Sequence, residues 1–567
     1  MIKASKSEKQ TGCAHLNPMP EAAAYRRSPA VVMRLARMGS FHQTRLSFMR
    51  SLLRRLKKEQ WQFKRPIWEI DHDGYGRAVY TVIGPQRSYS LVAFSHHLDD
   101  QMRSDRVIAT AWDATFALFD GVPTTDDLDR LQDNVPKQEV GRISDSELSL
   151  SRANRSVRLW KHVIDNLAAG QQPDRQQLES VGYLVRTTAV YGSGKFGAAD
   201  RLTISDRAEL SGPFQAEMLS VWLTRAFSID LVEHIAKSIG GTKAVVIDPG
   251  LRRRIGVGNS TGLGMAPFLI NHPTLLNNWM VAREEAFARV RSLAAASESE
   301  VKDFKQHLEK ARVKVSEWHS EHPIQIGKLH QLGSDLEKIV SYVETKSLSG
   351  NHPWDVFYRW AEQELSMEGQ EQLLSLMLEP YGELVDGLTQ CMDADEHRSF
   401  FIDGSMSIGK ILEIIENQYD WAIAVDYQQK ENRARFWYTS AEKLEPRVGE
   451  RFDEAGAEYE QPLCIGFFIR QLYEALLESD RDLPIADFLL TNSQHRHTVR
   501  RVQTLLSHPY SEVRDNLIAA DMLPIDLLRC KLSFFGASKF DPRSDRWVRI
   551  CMYQDAPFPH ELLATAK

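Results

Sequence analysis

The chain has 567 residues, 43% hydrophobic and 26% charged, which is the balance of an ordinary globular protein and neither fibrous nor low-complexity. It contains no uninterrupted apolar run of the ~20 residues that a membrane-spanning helix needs. The net charge of −6 argues against wholesale nucleic-acid binding. The charge is uneven, however: residues 1–65 hold 15 Lys/Arg against 3 Asp/Glu, a basic arm on an acidic body.

In chain order, residues 1–28 read as a flexible lead-in, and 29–65 as a basic helical segment opened by Ser28 and Pro29. Leu46, Met49, Leu53 and Leu56 recur at 3-4-3 spacing with Arg50, Arg54, Arg55, Lys57 and Lys58 on the other faces. That pattern predicts an amphipathic helix whose stripe docks on the body. Extended segments are expected at 67–72, 76–83, 88–95 and 106–112, with an Asp73-Gly74 turn, as an antiparallel meander. Helices are expected from Ser146 to Val185 and from Pro213 to Ile239, then a short strand from Ala244 to Ile247. The whole of 66–272 reads as an N-terminal α+β portion.

Over 273–346 the sequence predicts a long antiparallel helical hairpin. Val301, Phe304, Leu308, Ala311, Val315 and Trp318 form one stripe, behind a Ser297/Glu300 capping box. After His322-Pro323, Leu329, Leu332, Leu336, Ile339 and Val343 form the other. Residues 347–567 read as a small C-terminal α/β portion. Strands are expected at Ser399–Ile402, Trp421–Tyr427, Arg433–Thr439, Lys531–Phe535 and Trp547–Tyr553, and helices near 460–477 and 493–519. The fold class is α+β with helices dominating.

Two glycine-rich stretches carry the candidate chemistry. In Tyr191-Gly192-Ser193-Gly194-Lys195-Phe196-Gly197, glycines around one lysine suit an anion nest, with Lys195 as the point charge. It is not a P-loop, because Ala189 and Phe196 stand where that motif needs Gly and Ser/Thr. Tyr191, with Arg186, Arg201 and Lys195, is expected to form a compact polar set in which tyrosine moves protons. The second stretch runs Gly256-Val257-Gly258-Asn259-Ser260-Thr261-Gly262-Leu263-Gly264, where Asn259, Ser260 and Thr261 add short donors for a carboxylate or phosphate. Gly192-Ser-Gly-Lys195-Phe196 is echoed by Gly536-Ala-Ser-Lys539-Phe540, which pairs Lys195 with Lys539 if both loops meet.

Other motifs are weaker. Ser95-His96-His97-Leu98-Asp99 offers metal-ligand types without an HExxH or comparable spacing, so no metal is assigned. Asp71-His72-Asp73-Gly74 lacks the glutamate an EF-hand requires at position 12, which is Val82. The five cysteines, Cys13, Cys391, Cys464, Cys530 and Cys551, form no CxxC pair, as expected of a reducing, cytoplasmic setting.

These residues lead to an enzyme acting on a small anionic substrate, a carboxylate or phosphate, held by two glycine loops. Lys195 and Tyr191 would be catalytic. Arg186, Gly192, Ser193, Gly194, Gly258, Asn259, Ser260, Thr261, Gly262 and Lys539 would bind substrate. Neither the reaction (lyase, transferase or hydrolase) nor a cofactor is specified. The competing reading is a scaffold using the helical hairpin and the basic arm, with the hairpin also serving a homo-oligomer. Nucleic-acid association through residues 26–65 is the third.

Overall fold

A computed structural model describes residues 20–99, 111–137, 144–192, 195–196, 207–259, 273–320, 323–346, 348–392, 402–429, 465–514, 529–542 and 548–566. The fold is a helix-dominated α+β arrangement with a single eleven-stranded mixed sheet. The chain divides into two compact units. One holds 1–40, 266–316 and 327–526; the other holds 41–265, 317–326 and 527–567.

The second of these carries the sheet. Helix α1 (Phe48–Lys58) begins where Ser47 Oγ accepts from the Arg50 amide, and buries Phe48, Met49, Leu52, Leu53 and Leu56. Its basic face is also used: Arg55 donates to the carbonyls of Glu209 (2.6 Å) and Ser211 (3.0 Å). The amphipathic pattern is thus satisfied by docking within the chain.

Strands β1 (Gln62–Ile70), β2 (Gly76–Ile83), β3 (Ser88–Ser95), β4 (Ala114–Asp120), β5 (Glu147–Arg155) and β6 (Tyr183–Gly192) pair antiparallel in sequence order. The β1–β2 turn is the expected one. Asp71 Oδ1 accepts from the amides of Asp73 (3.0 Å) and Tyr75 (2.8 Å), and Gly74 takes φ +86°, which favours glycine. One face of the sheet packs Val79, Val92, Phe94, Ala117, Phe119 and Leu150 against Leu128 and Leu131 of α2 (Thr125–Asn134). Helices α3 (Trp160–Ala168) and α4 (Arg175–Val181) follow β5. On the sheet's opposite face, α5 (Gln215–Gly240) lays Phe227 against Tyr80 and Phe116 at ring-centroid distances of 6.3 and 5.6 Å. The first half of α5 is buried on all sides, which explains why its sequence is apolar all round.

Five short strands complete the sheet. Strand β7 (Lys195–Phe196) pairs with β6; β8 (Gly256–Asn259) runs parallel to β6; β9 (Ala537–Pro542) and β10 (Val548–Met552) pair antiparallel, with β10 beside β8. Strand β11 (Ala564–Thr565) lies parallel to β1 on the far edge. The C-terminal segment therefore supplies both edges of a sheet begun near the N-terminus.

The other unit is helical: α6 (Pro273–Arg291), α7 (Glu298–Ser316), α8 (Pro323–Thr345, which enters this unit at residue 327), α9 (Pro353–Glu364), α10 (Met367–Met377), α11 (Ile408–Gln418), α12 (Ile465–Leu477) and α13 (Arg496–Thr504). The Ser297/Glu300 box caps α7 as its sequence predicts, with the Ser297 amide 2.6 Å from Glu300 Oε2. Phe304, Leu308, Ala311, Val315, Leu332, Leu336, Ile339 and Val343 are buried, and Arg312 of α7 pairs with Glu337 of α8 at 2.8 Å.

A buried ionic cluster organises this unit. Arg27 binds both oxygens of Glu284 (2.9 Å each), both of Glu371 (2.8 and 3.2 Å) and the Tyr358 hydroxyl (2.9 Å). Arg283 and Arg37 add further bonds, to Glu284 at 2.8 Å and Glu371 at 3.1 Å. Part of the N-terminal positive charge is thereby neutralised internally.

Several expected elements differ. Glu147–Arg155, within an expected helix, is β5, because the alternation Glu-Leu-Ser-Leu-Ser has the two-residue period of a strand. Ala244–Ile247 is outside the sheet; Val245 and Ile247 donate singly to Leu167 O and Glu233 Oε1. Residues 420–423 form a helical turn instead of a hairpin arm, and Lys531–Phe535 a π-helical turn. Short apolar runs are ambiguous between strand and buried helix, and tertiary packing resolves them. Of the strand expected at 106–112, residues 111 and 112 are not extended and β4 begins at Ala114, while 100–110, 393–401 and 430–464 lie outside the described residues.

Candidate functional site

Sheet register brings the separated sequence motifs into one transverse row. Asn154 of β5 is paired with Arg186 of β6, Arg186 with Gly258 of β8, Gly258 with Cys551 of β10, and Cys551 with Lys539 of β9. Directly paired residues of neighbouring strands share a face. At the same end of the sheet, the His96 amide donates to Asp113 O at 2.8 Å beyond the last β3–β4 pair.

Asn154 and Arg186 are both buried, at 3% and 5% exposure. Neither Oδ1 nor Nδ2 of Asn154 has a hydrogen-bond partner among the described residues. Next to them Gly258 is a close-approach glycine: a Cβ there would lie 2.7–2.9 Å from three atoms of the Tyr183 ring. The ring thus occupies the space a side chain would take, and glycine is required for packing. Cys551, also buried, donates from Sγ to Gly182 O at 3.1 Å.

Charge at this end of the sheet is fixed by neighbours. The Asp113 carboxylate accepts from the Arg155 amide at 2.9 Å and lies 3.7 Å from its Nε. Arg155 stacks over Trp160, and Arg152 over Trp112, at 4.7 and 4.5 Å. His96 bonds Thr115 Oγ1 at 2.8 Å. Burial pulls its pKa below the ordinary histidine value, with Asp113 opposing, so the ring is biased toward neutral. Arg225 of α5 sits in a cage of carbonyls, donating to Ile255 O (2.6 Å), Ala556 O (2.8 Å) and Arg253 O (3.1 Å). Burial lowers its pKa to about 9.

The residues singled out from sequence divide into three groups. Arg186, Gly258 and Lys539 hold positions in the row, and Asn259 is one step along, opposite Thr187. Tyr191 and Gly192 end β6, with Gly192 opposite Lys195 of β7. Ser193, Gly194, Arg201, Ser260, Thr261 and Gly262 lie outside the described residues. Two placements differ from the local pattern. Gly258 and Asn259 belong to strand β8 and pair with its two neighbours, β6 and β10. Arg186 and Tyr191 stand five residues apart on one extended strand, roughly 17 Å at ~3.4 Å per residue, so they are not one compact set. The same separation keeps Lys195 and Lys539 in different rows.

Asn154 was not legible as a site residue, because its segment reads as helix; the period-two alternation was the signal available. Among the described residues, no group of three His, Cys, Asp or Glu side chains could hold a metal ion, and no helix is long and apolar enough to cross a membrane. No known protein family, curated protein sequence or solved structure matches the chain.

Proposed function

We propose that this protein is an enzyme acting on a small anionic molecule, with Arg186 as the anchoring cation and β5, β6, β8 and β10 as the platform. The observation supporting this reading is the row Asn154–Arg186–Gly258–Cys551–Lys539, which gathers residues from three distant stretches of chain around a buried guanidinium. Arg presents a planar fork that matches carboxylate or phosphate. Lys195 and Tyr191 stay candidates for proton transfer farther along β6, and the reaction class stays open among lyase, transferase and hydrolase. The working compartment is the cytoplasm, consistent with the free thiols of Cys530 and Cys551. The scaffold alternative loses its main surface, since the stripes of α7 and α8 are buried and Val313 is the one large apolar side chain they expose among the described residues.

The test is a thermal-shift screen of the full chain against small carboxylates, phosphates, nucleotides and acyl-CoAs, with Arg186→Met and Lys195→Met as paired controls. A ligand at ~100 times its Kd stabilises by about 2.7 kcal/mol, a shift of several degrees. A shift lost in Arg186→Met supports the reading. A shift that Arg186→Met retains, or none in any member of the panel, overturns it.

A further inference from the structure

We infer that α13 is the second helix of a helix-turn-helix and that its exposed face binds double-stranded DNA in the major groove. This is independent of the anion reading above, which concerns the sheet-bearing unit.

The module is assembled from local chemistry. A short helix, Ile485–Thr491, is followed by the link 492–495 and then by α13. A link of about four residues between two helices is the length a helix-turn-helix uses. The turn is held firmly. Asn492 donates from its amide and from Nδ2 to Phe488 O (3.0 and 3.1 Å), the His495 amide donates to Asn492 O (3.1 Å), and the Phe488 and His495 rings lie 5.8 Å apart. The first helix is tied to the start of α11: the Ile485 amide donates to Met406 O (2.8 Å) and the Ile408 amide to Leu483 O (2.9 Å). Ile485 and Phe488 are buried, as are Ile411 and Ile415 of α11 and Ile469 and Leu472 of α12, and α11, α12 and α13 pack on one another.

Packing decides which face of α13 turns outward. Val499, Val502 and Leu505 are buried. At about 3.6 residues per turn, Arg496 and Arg500 stand one turn apart on the side away from them, with His497 alongside. Arg496 and His497 are exposed, and Arg500 is partly exposed. Arg496 donates from Nε to His497 Nε2 at 3.4 Å. Burial, and then the charges of Arg496 and Arg500, hold the His497 pKa below the ordinary histidine value, so the three groups share one patch.

The charge on this patch is segregated. No Asp or Glu occurs from Phe488 to Ser511, while Asp480, Asp482 and Asp487 all precede the turn. Arg501 is committed to Glu512 at 2.9 Å, so the outer face takes its charge from Arg496 and Arg500. The major groove of B-DNA, about 12 Å wide, admits one helix, and in a helix-turn-helix the N-terminal residues of the second helix meet the base edges. Gln494, Arg496 and His497 stand at that end, and Arg and Gln are the side chains that pair with guanine and adenine there. An RNA duplex has a major groove too deep and narrow for side chains to read, which selects DNA. The net charge of −6 does not oppose a local contact, because exposed acids beyond about 8 Å are screened at physiological salt.

The experiment is fluorescence anisotropy of the full chain with a labelled mixed-sequence DNA duplex of about 24 bp, titrated at about 50 to 200 mM NaCl. Wild type is expected to bind in the micromolar range at the lower salt, with affinity falling steeply as salt rises. Arg496→Ala/Arg500→Ala is expected to bind about tenfold or more weakly and to flatten the slope of log affinity against log salt by about 2. Arg496→Lys/Arg500→Lys keeps both charges and is expected to stay within about threefold of wild type. Lys302→Ala/Lys305→Ala, two exposed residues of α7, makes the same change in net charge elsewhere and is expected to leave binding as it is. Melting curves show that each variant is folded. Absence of duplex binding by wild type overturns the inference. So does a loss in the α7 pair that matches the loss in the α13 alanine pair, or a loss in the lysine pair as large as in the alanine pair. Equal binding of an RNA duplex of the same sequence also overturns it.

Discussion

Replacing Arg27 by Met probes the buried ionic cluster of the helical unit. Arg27 is held by five hydrogen bonds, and its carboxylate partners Glu284 and Glu371 have side chains at 0% exposure. Methionine fills most of the volume but leaves two carboxylates facing Arg283 and Arg37 alone. Removing one partner of a buried ion pair costs about 3–5 kcal/mol. The protonation of Glu284 adds a pH dependence. Burial opposes its charged form, but Arg27 and Arg283 together hold the Glu284 pKa down at about 2 against an ordinary 4.5. The sign follows from the depressed value: the stabilisation is complete above pH 4.5 and disappears as pH falls toward 2. Urea denaturation followed by tryptophan fluorescence, with Trp279 and Trp354 buried in this unit, reads the effect. Arg27→Met is expected to lose about 3–5 kcal/mol at pH 7 and distinctly less at pH 3, and Arg27→Met/Glu284→Gln to recover part of the loss. A loss below about 1 kcal/mol, or one of equal size at both pH values, refutes the reasoning.

Three further outcomes are expected. Lys531, buried in the π-helical turn, has its pKa lowered by burial from 10.5 to about 7, so its charged form costs stability below about pH 7 and the cost fades as pH rises to 10.5. Lys531→Met should therefore stabilise the protein more at pH 7 than at pH 10.5, read from melting curves across that range. Gly258→Ala places a Cβ 2.7 Å from the Tyr183 ring and should destabilise by about 1–3 kcal/mol, while moving the ring should also weaken any Arg186-dependent ligand shift. Gly76→Ala meets Glu69 O at 2.0 Å with φ at +132°, a collision with backbone that no rotamer relieves; expression of soluble protein is expected to fall sharply, whereas Gly121→Ala meets nothing within 4 Å and should cost only the strain of its φ of +103°.

Local chemistry was the part written openly in the sequence. The extended segments 76–83 and 88–95, the Asp71/Gly74 turn, the Met49, Leu53 and Leu56 stripe of α1 and the Ser297/Glu300 box all depend on neighbours a few residues away, and each is found in the structure. The helix-dominated α+β class follows from the same signals. What short-range patterns do not encode is which distant strands pair. Nothing in Ala537–Pro542 or Ala564–Thr565 says that they flank opposite edges of a sheet begun at Gln62, because that choice is made by long-range burial of edge strands and not by local preference.

The candidate site shows the same division. Glycine content marked both stretches as places of close backbone approach, which is correct for Gly258, but composition did not reveal that the approach is to the Tyr183 ring. Arg186 could be named from its sequence alone; its burial, and its position opposite Asn154, could not. The sequence by itself determined the periodicities, turns and caps, which are energies of adjacent residues. The tertiary structure alone decided the row Asn154–Arg186–Gly258–Cys551–Lys539, because a register between strands hundreds of residues apart is set by the collective packing of the sheet and its covering helices.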